Sequence, residues 1–197
     1  MPARDRARWL QDEVLVEEKL DGANVAVWCD DAGYLQVAGR GGPGALDRGR
    51  QLGRLRAWAA ERADALHALL AAGHAMYGEW LWLEHTLSYT RLPNYLVVLD
   101  LWSPADGFAD ADERDRRVKP ADLVVPPRLH TGTICDVERL ERLTRRSAFT
   151  NGPAEGAVLR REHADGRFDR CKWVRVEFQP RSNEAWLQER RHNQVQT

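Results

Sequence analysis

Cysteine is scarce in this chain. Cys29, Cys135 and Cys171 are odd in number, widely spaced and without a Cys-x-x-Cys pair, which argues against a disulfide framework and a structural zinc site. The six histidines form no metal-type cluster either. Net charge is −1, so no global field would recruit a polyanion, and any nucleic-acid contact must come from a local basic face. No apolar run approaches the length of a membrane span. Residues 1–9 alternate basic and acidic side chains where a secretory signal would need an apolar stretch. A reduced, cytoplasmic setting without membrane contact is expected. Internal repeats and low-complexity segments are also missing.

At 197 residues, a single domain spanning 1–197 is expected, without a separate C-terminal domain. Chains of this size bury about 70% of the surface they expose when unfolded. With 43% hydrophobic and 30% charged residues the composition is that of an ordinary soluble globular protein, so function has to be read from local motifs. Eight tryptophans are many. Trp28, Trp80, Trp82 and Trp173 are expected in core and pocket walls rather than stacked on nucleic acid.

Strands dominate the first third. Residues 14–16 and 25–28 are apolar, and the turn Asp30-Asp31-Ala32-Gly33 joins strands over 25–29 and 34–38 into a predicted hairpin. Over 46–72, Leu52, Leu55, Ala59, Leu66, Leu69 and Leu70 fall near one face of a helix that Gly73 stops. Residues 75–83 and 95–102 read as buried strands, 106–112 as a polar loop, and 123–125 as a short apolar piece broken by Pro126-Pro127. Asp136 is placed to cap a helix over 137–146. Strands over 157–162 and 168–177 flank a turn at Asp165-Gly166, and a last short helix is predicted near 184–191.

The most telling run is Glu17-Glu18-Lys19-Leu20-Asp21-Gly22-Ala23-Asn24. It joins two apolar runs, so Lys19 falls at a strand end or tight turn, where its side chain can face a cleft. A lysine amine attacks an electrophile only in its neutral form, which neighbouring cations or desolvation favour. Taken alone, the run reads equally well as a solvated lysine in an Asp-Gly turn. Four further segments bear on the choice.

These are Gly39-Arg40-Gly41-Gly42, Tyr77-Gly78-Glu79-Trp80, Glu155-Gly156-Ala157-Val158-Leu159-Arg160 and Arg170-Cys171-Lys172-Trp173-Val174-Arg175. With the Lys19 run, their type, order and spacing resemble the covalent nucleotidyltransferases, the superfamily of ATP-dependent polynucleotide ligases and mRNA capping enzymes. The RNA ligase branch is most similar. Its Lys-x-Asp-Gly motif stands as Lys19-Leu20-Asp21-Gly22, with a Glu before and an Asn after. The resemblance covers about residues 14–178.

The resemblance implies an α+β adenylyltransferase domain, an ATP-grasp-like ligase core of two packed, mainly antiparallel sheets flanked by helices, here in a minimal form. It implies ATP as the nucleotide and Mg2+ or Mn2+ beside it. Lys19 would be the catalytic nucleophile, attacking the α-phosphate, releasing pyrophosphate and keeping AMP covalently bound. Glu155 is implied as the metal-site carboxylate, since magnesium is hard and takes one or two carboxylates together with phosphate and water. Lys172 would contact the α-phosphate and help keep Lys19 deprotonated. Glu79 and Arg40 would hold the ribose hydroxyls, and Asn24 would reach the phosphate or the transferred group. Glu18 would contribute to adenine recognition through its side chain or adjacent backbone, and Leu20 is implied among the nucleotide-binding residues.

Two positions depart from the pattern. Arg170 stands where the fifth motif often has a lysine, and arginine binds phosphate bidentately rather than as a point charge. Leu99, in Val97-Val98-Leu99-Asp100, stands where related ligases tend to set an aromatic against adenine. Asp21 is expected to shape its turn rather than to move protons, and His85 fits packing as well as substrate contact.

The function this implies is an ATP-dependent RNA ligase that seals a 5′-phosphate to a 3′-hydroxyl in RNA ends or a nicked duplex. A protein partner could supply the substrate-clamping module. The alternatives are a capping-type or end-adenylylating nucleotidyltransferase, and a non-catalytic nucleic-acid-binding module. Joint retention of Lys19, Glu79, Glu155 and Lys172 disfavours the last, and a choice of GTP over ATP would mark capping.

Overall fold

The computed structural model describes residues 9–40, 50–163, 167–179 and 191–196. In chain order its elements begin with β1 (Glu13–Lys19), β2 (Ala23–Cys29), β3 (Leu35–Gly39), α1 (Arg50–Glu61), α2 (Ala63–Leu69) and β4 (Ala75–Trp80). Next come β5 (Leu96–Ser103), β6 (Gly107–Phe108), and α3 (Ala111–Val118) with a 3-10 turn at Lys119–Ala121. Last are β7 (Arg128–Thr133), α4 (Val137–Leu143), β8 (Gly156–Glu162) and β9 (Phe168–Val174). Two antiparallel sheets result, ordered β7-β1-β8-β9 and β3-β2-β4-β5-β6, and the architecture is the expected α+β. The predicted turn at Asp165-Gly166, the predicted helix near 184–191 and the glycines Gly41 and Gly42 lie outside the described residues.

Each sheet belongs to one of two compact units. The first comprises Met1–Asp21, Glu84–Leu92 and Pro126–Thr197, the second Gly22–Leu83 and Pro93–Val125.

In the first unit, the pleat of β1 sends Val14, Val16 and Glu18 to one face and Leu15, Glu17 and Lys19 to the other. Val14 and Val16 join Trp9, Ile134, Leu140, Ala157, Leu159, Cys171 and Trp173 in the core. β7 pairs with β1 at the sheet edge, its register shifting between Val16 and Glu17. No strand was expected at 128–133, because its residues alternate between exposed and half-buried and carry no apolar stripe. The cap of α4 is the expected one, with Asp136 Oδ1 accepting from Arg139 N at 2.6 Å. The helix ends at Leu143 rather than 146, where the Thr144 hydroxyl donates back to Leu140 O at 2.9 Å. Residues 84–92 are tied to 191–196: Leu92 bridges Val195, and Tyr89 N donates to Asn193 Oδ1 at 2.7 Å.

In the second unit, Val25, Val27, Met76, Trp80, Leu96, Val98 and Leu101 from the sheet pack against Leu52, Leu55, Trp58, Leu66 and Leu70 from the helices. Each fully buried leucine here contributes about 1.5–3 kcal/mol. The buried Trp58 indole N–H is satisfied by Asn94 Oδ1 at 3.0 Å. The helix expected over 46–72 is interrupted: Arg62, with φ −120° and ψ 20°, leaves the helical range and separates α1 from α2. Gly73, at φ +77°, makes the turn into β4 that a side chain would strain.

The loop expected at 106–112 instead opens α3. Asp110 caps it by accepting from Glu113 N at 2.7 Å, and acids in the first turn with arginines in the last suit the helix dipole. Its fully buried Arg114 donates to Leu99 O at 2.9 Å and pairs with Asp115 at 2.7 Å. Among the described residues, no helix is long and apolar enough to cross a membrane.

Candidate active site

Lys19 closes β1 directly opposite Gly156, the first residue of β8. That register brings the residue before Gly156 alongside the lysine, and Lys19 Nζ donates to Glu155 Oε2 at 2.6 Å. Gly156 is required by close strand packing, since a Cβ there would lie 2.0 Å from Trp173 O. The Glu-Gly pair therefore lets β9 approach β8 while presenting a carboxylate to Lys19.

Lys172 is reached from β1 by two register steps, Glu17 to Val158 and Val158 to Lys172. Period-two alternation puts Lys172 and Arg170 on the same sheet face as Lys19. Arg160 and Arg170 are direct cross-strand partners, and both guanidinium groups lie over the Phe168 ring, at 4.7 and 4.6 Å from its centroid. The aromatic face offsets part of the repulsion between the two cations.

Burial pushes the Glu155 carboxyl above its ordinary pKa. The Lys19 ammonium and, more weakly, Lys172 pull it down, and the Asp21 charge pushes it up. Net, the carboxyl binds a proton more readily than an exposed one.

Asp21 shapes its surroundings as expected. Its Oδ2 accepts from Thr86 N at 2.6 Å and Leu87 N at 2.7 Å, and its own N–H donates to the Tyr89 hydroxyl at 2.8 Å. Tyr89 is fully buried, and that burial raises its hydroxyl pKa well above the usual value. Thr86, Leu87, Tyr89 and Asn193 thus brace the turn after Lys19. Nothing in the local sequence signals this, because Tyr89 lies 68 residues from Asp21 and 104 from Asn193.

Glu18 points to the opposite face. It is 2% exposed, and its carboxylate accepts from Ser147 Oγ at 2.5 Å and Ala148 N at 2.9 Å. The structure therefore commits the Glu18 side chain to the 147–148 loop, away from the face that carries Lys19. Its backbone N–H donates to Pro127 O at 2.9 Å. Leu20, 4% exposed, is a buried apolar wall beside the lysine.

The second unit gathers another set. Asn24 on β2 faces Glu79 on β4 in register, and Arg40 N donates to Asn24 O at 3.0 Å. Arg40, Asn24 and Glu79 thus lie in one row across β3, β2 and β4. Glu79 Oε1 accepts from Gly22 N at 3.0 Å, an approach that only glycine permits, since a Cβ on Gly22 would lie 2.6 Å from Leu81 Cδ2 and 2.7 Å from Trp80 O. Leu99 does not join the row. It sits at the β4–β5 register shift, where Tyr77 pairs Asp100 and Gly78 pairs Val98.

Among the described residues, no group of three His, Cys, Asp or Glu side chains could hold a metal ion by itself. Glu155 nonetheless suits Mg2+ or Mn2+, because a hard cation needs only one or two protein carboxylates when phosphate and water complete its sphere.

A model of the RNA ligase family matches residues 12–174. No curated protein sequence matches the chain. Among solved structures, an RNA ligase of Naegleria gruberi with PPi is 17% identical with a TM-score of 0.59, covering 87% of this chain and 51% of that one. A point variant of a Naegleria gruberi RNA ligase with ATP and Mn is 16% identical with a TM-score of 0.58, over 93% of this chain and 53% of that one. Another with AMP and Mn is 17% identical with a TM-score of 0.57, over 85% and 51%. At this identity the likeness is one of fold, and the chain spans about half the length of these ligases.

Proposed function

This chain belongs to the RNA ligase family, and on that premise we propose that it is an ATP-dependent RNA ligase working through lysyl-AMP on Lys19. The observation that carries the reading is the 2.6 Å contact between Lys19 Nζ and Glu155 Oε2. In the first step Nζ attacks the α-phosphorus of ATP, an N–P bond forms, and the P–O bond to pyrophosphate breaks. Attack requires Nζ to shed a proton, and Glu155 is the acceptor within hydrogen-bond reach. An RNA 5′-phosphate then attacks the same phosphorus and Lys19 leaves, regaining a proton. Finally a 3′-hydroxyl attacks the adenylylated 5′-phosphate, displaces AMP and seals the strand.

Lys172 and Arg170 share the Lys19 face and offset phosphate charge as it builds in the transition state. Glu155 is the carboxylate that would hold a divalent ion bound with the nucleotide, and that ion would add Lewis-acid neutralisation of the phosphate charge. Glu79 and Arg40 take ribose hydroxyls, and Asn24 the phosphate side, as their motifs imply. Leu20, Leu99 and the backbone beside Glu18 keep the nucleotide-binding roles implied for them.

The test is a gel on nicked RNA duplexes bearing a 5′-phosphate or a 5′-hydroxyl, at low and high salt, in which α-32P-labelled ATP reports the adenylylated strand and a fluorophore on the 3′-hydroxyl strand reports the sealed product, since sealing releases the labelled AMP. Adenylylated and sealed RNA should form only with the 5′-phosphate and should fall steeply with salt, because phosphate contacts release counterions. Label that stays on the protein at low salt would defeat the RNA ligase reading.

A further inference from the structure

The first unit holds an open cavity of about 280 Å³ whose lining includes Thr86, Leu87, Arg175, Glu177, Phe178 and Gln179. Arg175 follows β9, and its backbone N–H donates to the main-chain O of Glu155 at 3.0 Å, which ties this part of the cavity lining to the residue that pairs with Lys19. Its guanidinium is only 18% exposed and poorly compensated. Nη1 is buried without a hydrogen-bond partner. Nη2 reaches Glu177 only at 3.4 Å, and that carboxylate is 75% exposed and free to turn into solvent. Leaving a buried guanidinium N–H unpaired costs about 1–3 kcal/mol, and Glu177 compensates only the other nitrogen, at long range.

Arginine matches phosphate with two parallel hydrogen bonds. Phe178 supplies a flat apolar wall of the kind on which a base stacks, worth about 1–3 kcal/mol. The volume lies below the roughly 300–1,000 Å³ of ordinary ligand sites, which suits a nucleotide fragment rather than whole ATP. The nucleophile of the second step must also wait within reach of the phosphorus on Lys19.

We infer that this cavity is a phosphate subsite, centred on Arg175, that receives the 5′-phosphorylated end of the RNA strand. The inference rests on the RNA ligase reading for its ligand, while the same chemistry would also hold the departing pyrophosphate.

The experiment measures equilibrium binding in a Lys19→Met background, where no adenylylation intervenes. The probes are a short 5′-phosphorylated RNA, its 5′-hydroxyl twin and inorganic pyrophosphate. Arg175→Met removes the cation, and Gln179→Glu adds a repelling charge at an exposed position without disturbing packing. Each should cost a phosphate ligand about tenfold or more in affinity, the scale of a charge-assisted hydrogen bond, and leave the 5′-hydroxyl RNA within about twofold. A loss confined to the 5′-phosphorylated RNA assigns the strand end, and one confined to pyrophosphate reassigns the subsite to the leaving group. Unchanged binding of both phosphate ligands, or an equal loss for the 5′-hydroxyl RNA, overturns the subsite. If Arg175→Met fails to fold, Gln179→Glu decides alone. Because no lysyl-AMP is needed, failure here is separate from failure of the ligase reading.

Discussion

Lys19 Nζ and Glu155 Oε2 lie 2.6 Å apart although 136 residues separate them in the chain. The antiparallel register of β1 with β8 makes this contact, and Gly156 permits it. The pair ties the fold to the proposed chemistry, and the predictions follow outward from it.

Glu155→Gln and Lys172→Ala should each slow formation of the protein–AMP adduct by about 10²–10³, as loss of a transition-state contact does. Arg170→Ala should fall between these and wild type. Asp21→Asn puts a neutral amide where the carboxylate Oδ2 accepts from both Thr86 N and Leu87 N, and should cost about 1–3 kcal/mol of stability with a smaller effect on adduct rate. Quench-flow adenylylation and urea melts on the four variants check this. Rates near wild type in both Glu155→Gln and Lys172→Ala would make these residues purely structural.

Two glycine substitutions should act in opposite directions. Gly156→Ala forces a Cβ to within 2.0 Å of Trp173 O, so β8 and β9 must part, at about 3 kcal/mol or more. Gly53→Ala, in α1 with nothing within 4 Å of the added carbon, should stabilise by about 0.5–1 kcal/mol. Denaturant midpoints of the two variants give the comparison, and similar shifts would contradict the packing described.

Glu18 provides a pH signature. Burial raises its carboxyl above the ordinary 4.5, against the lowering by Ala148 N–H and the Ser147 hydroxyl. With the folded value above the unfolded one, the stability it contributes is fully present below the unfolded value and lost as pH rises through the raised one. Glu18→Gln removes that titration. The stability of the variant relative to wild type should therefore increase in urea melts as pH rises from below the ordinary carboxylate value of 4.5 through the raised one. A relative stability that is flat or declines with pH would contradict the buried, charged Glu18.

Much of this arrangement was legible in the sequence because β2, β4 and β9 alternate between buried and more exposed residues over most of their length, and because Lys19, Asn24, Glu79, Glu155 and Lys172 each sit in a short motif at or beside a strand. What escaped had no local signal. β7 carries no apolar stripe, because it is a sheet edge on which every residue is exposed or half-buried. The charged run of α3 reads as loop unless the Asp110 cap is weighted above composition. Motif position alone could not say which way Glu18 turns. The pleat fixes that, by pairing it with Ala157 on the core side of β8. The bracing of Asp21 by Thr86, Leu87 and Tyr89 is a long-range contact that only the folded chain displays.

The most direct measurement is intact mass after incubation with ATP or GTP and Mg2+, followed by peptide mapping, on wild type and Lys19→Ala. Wild type should gain one AMP from ATP, none from GTP, with the adduct on Lys19. Lys19→Ala should gain nothing while melting within a few degrees of wild type. An undiminished adduct on Lys19→Ala, or no adduct on wild type, would contradict the assignment of Lys19 as the nucleophile.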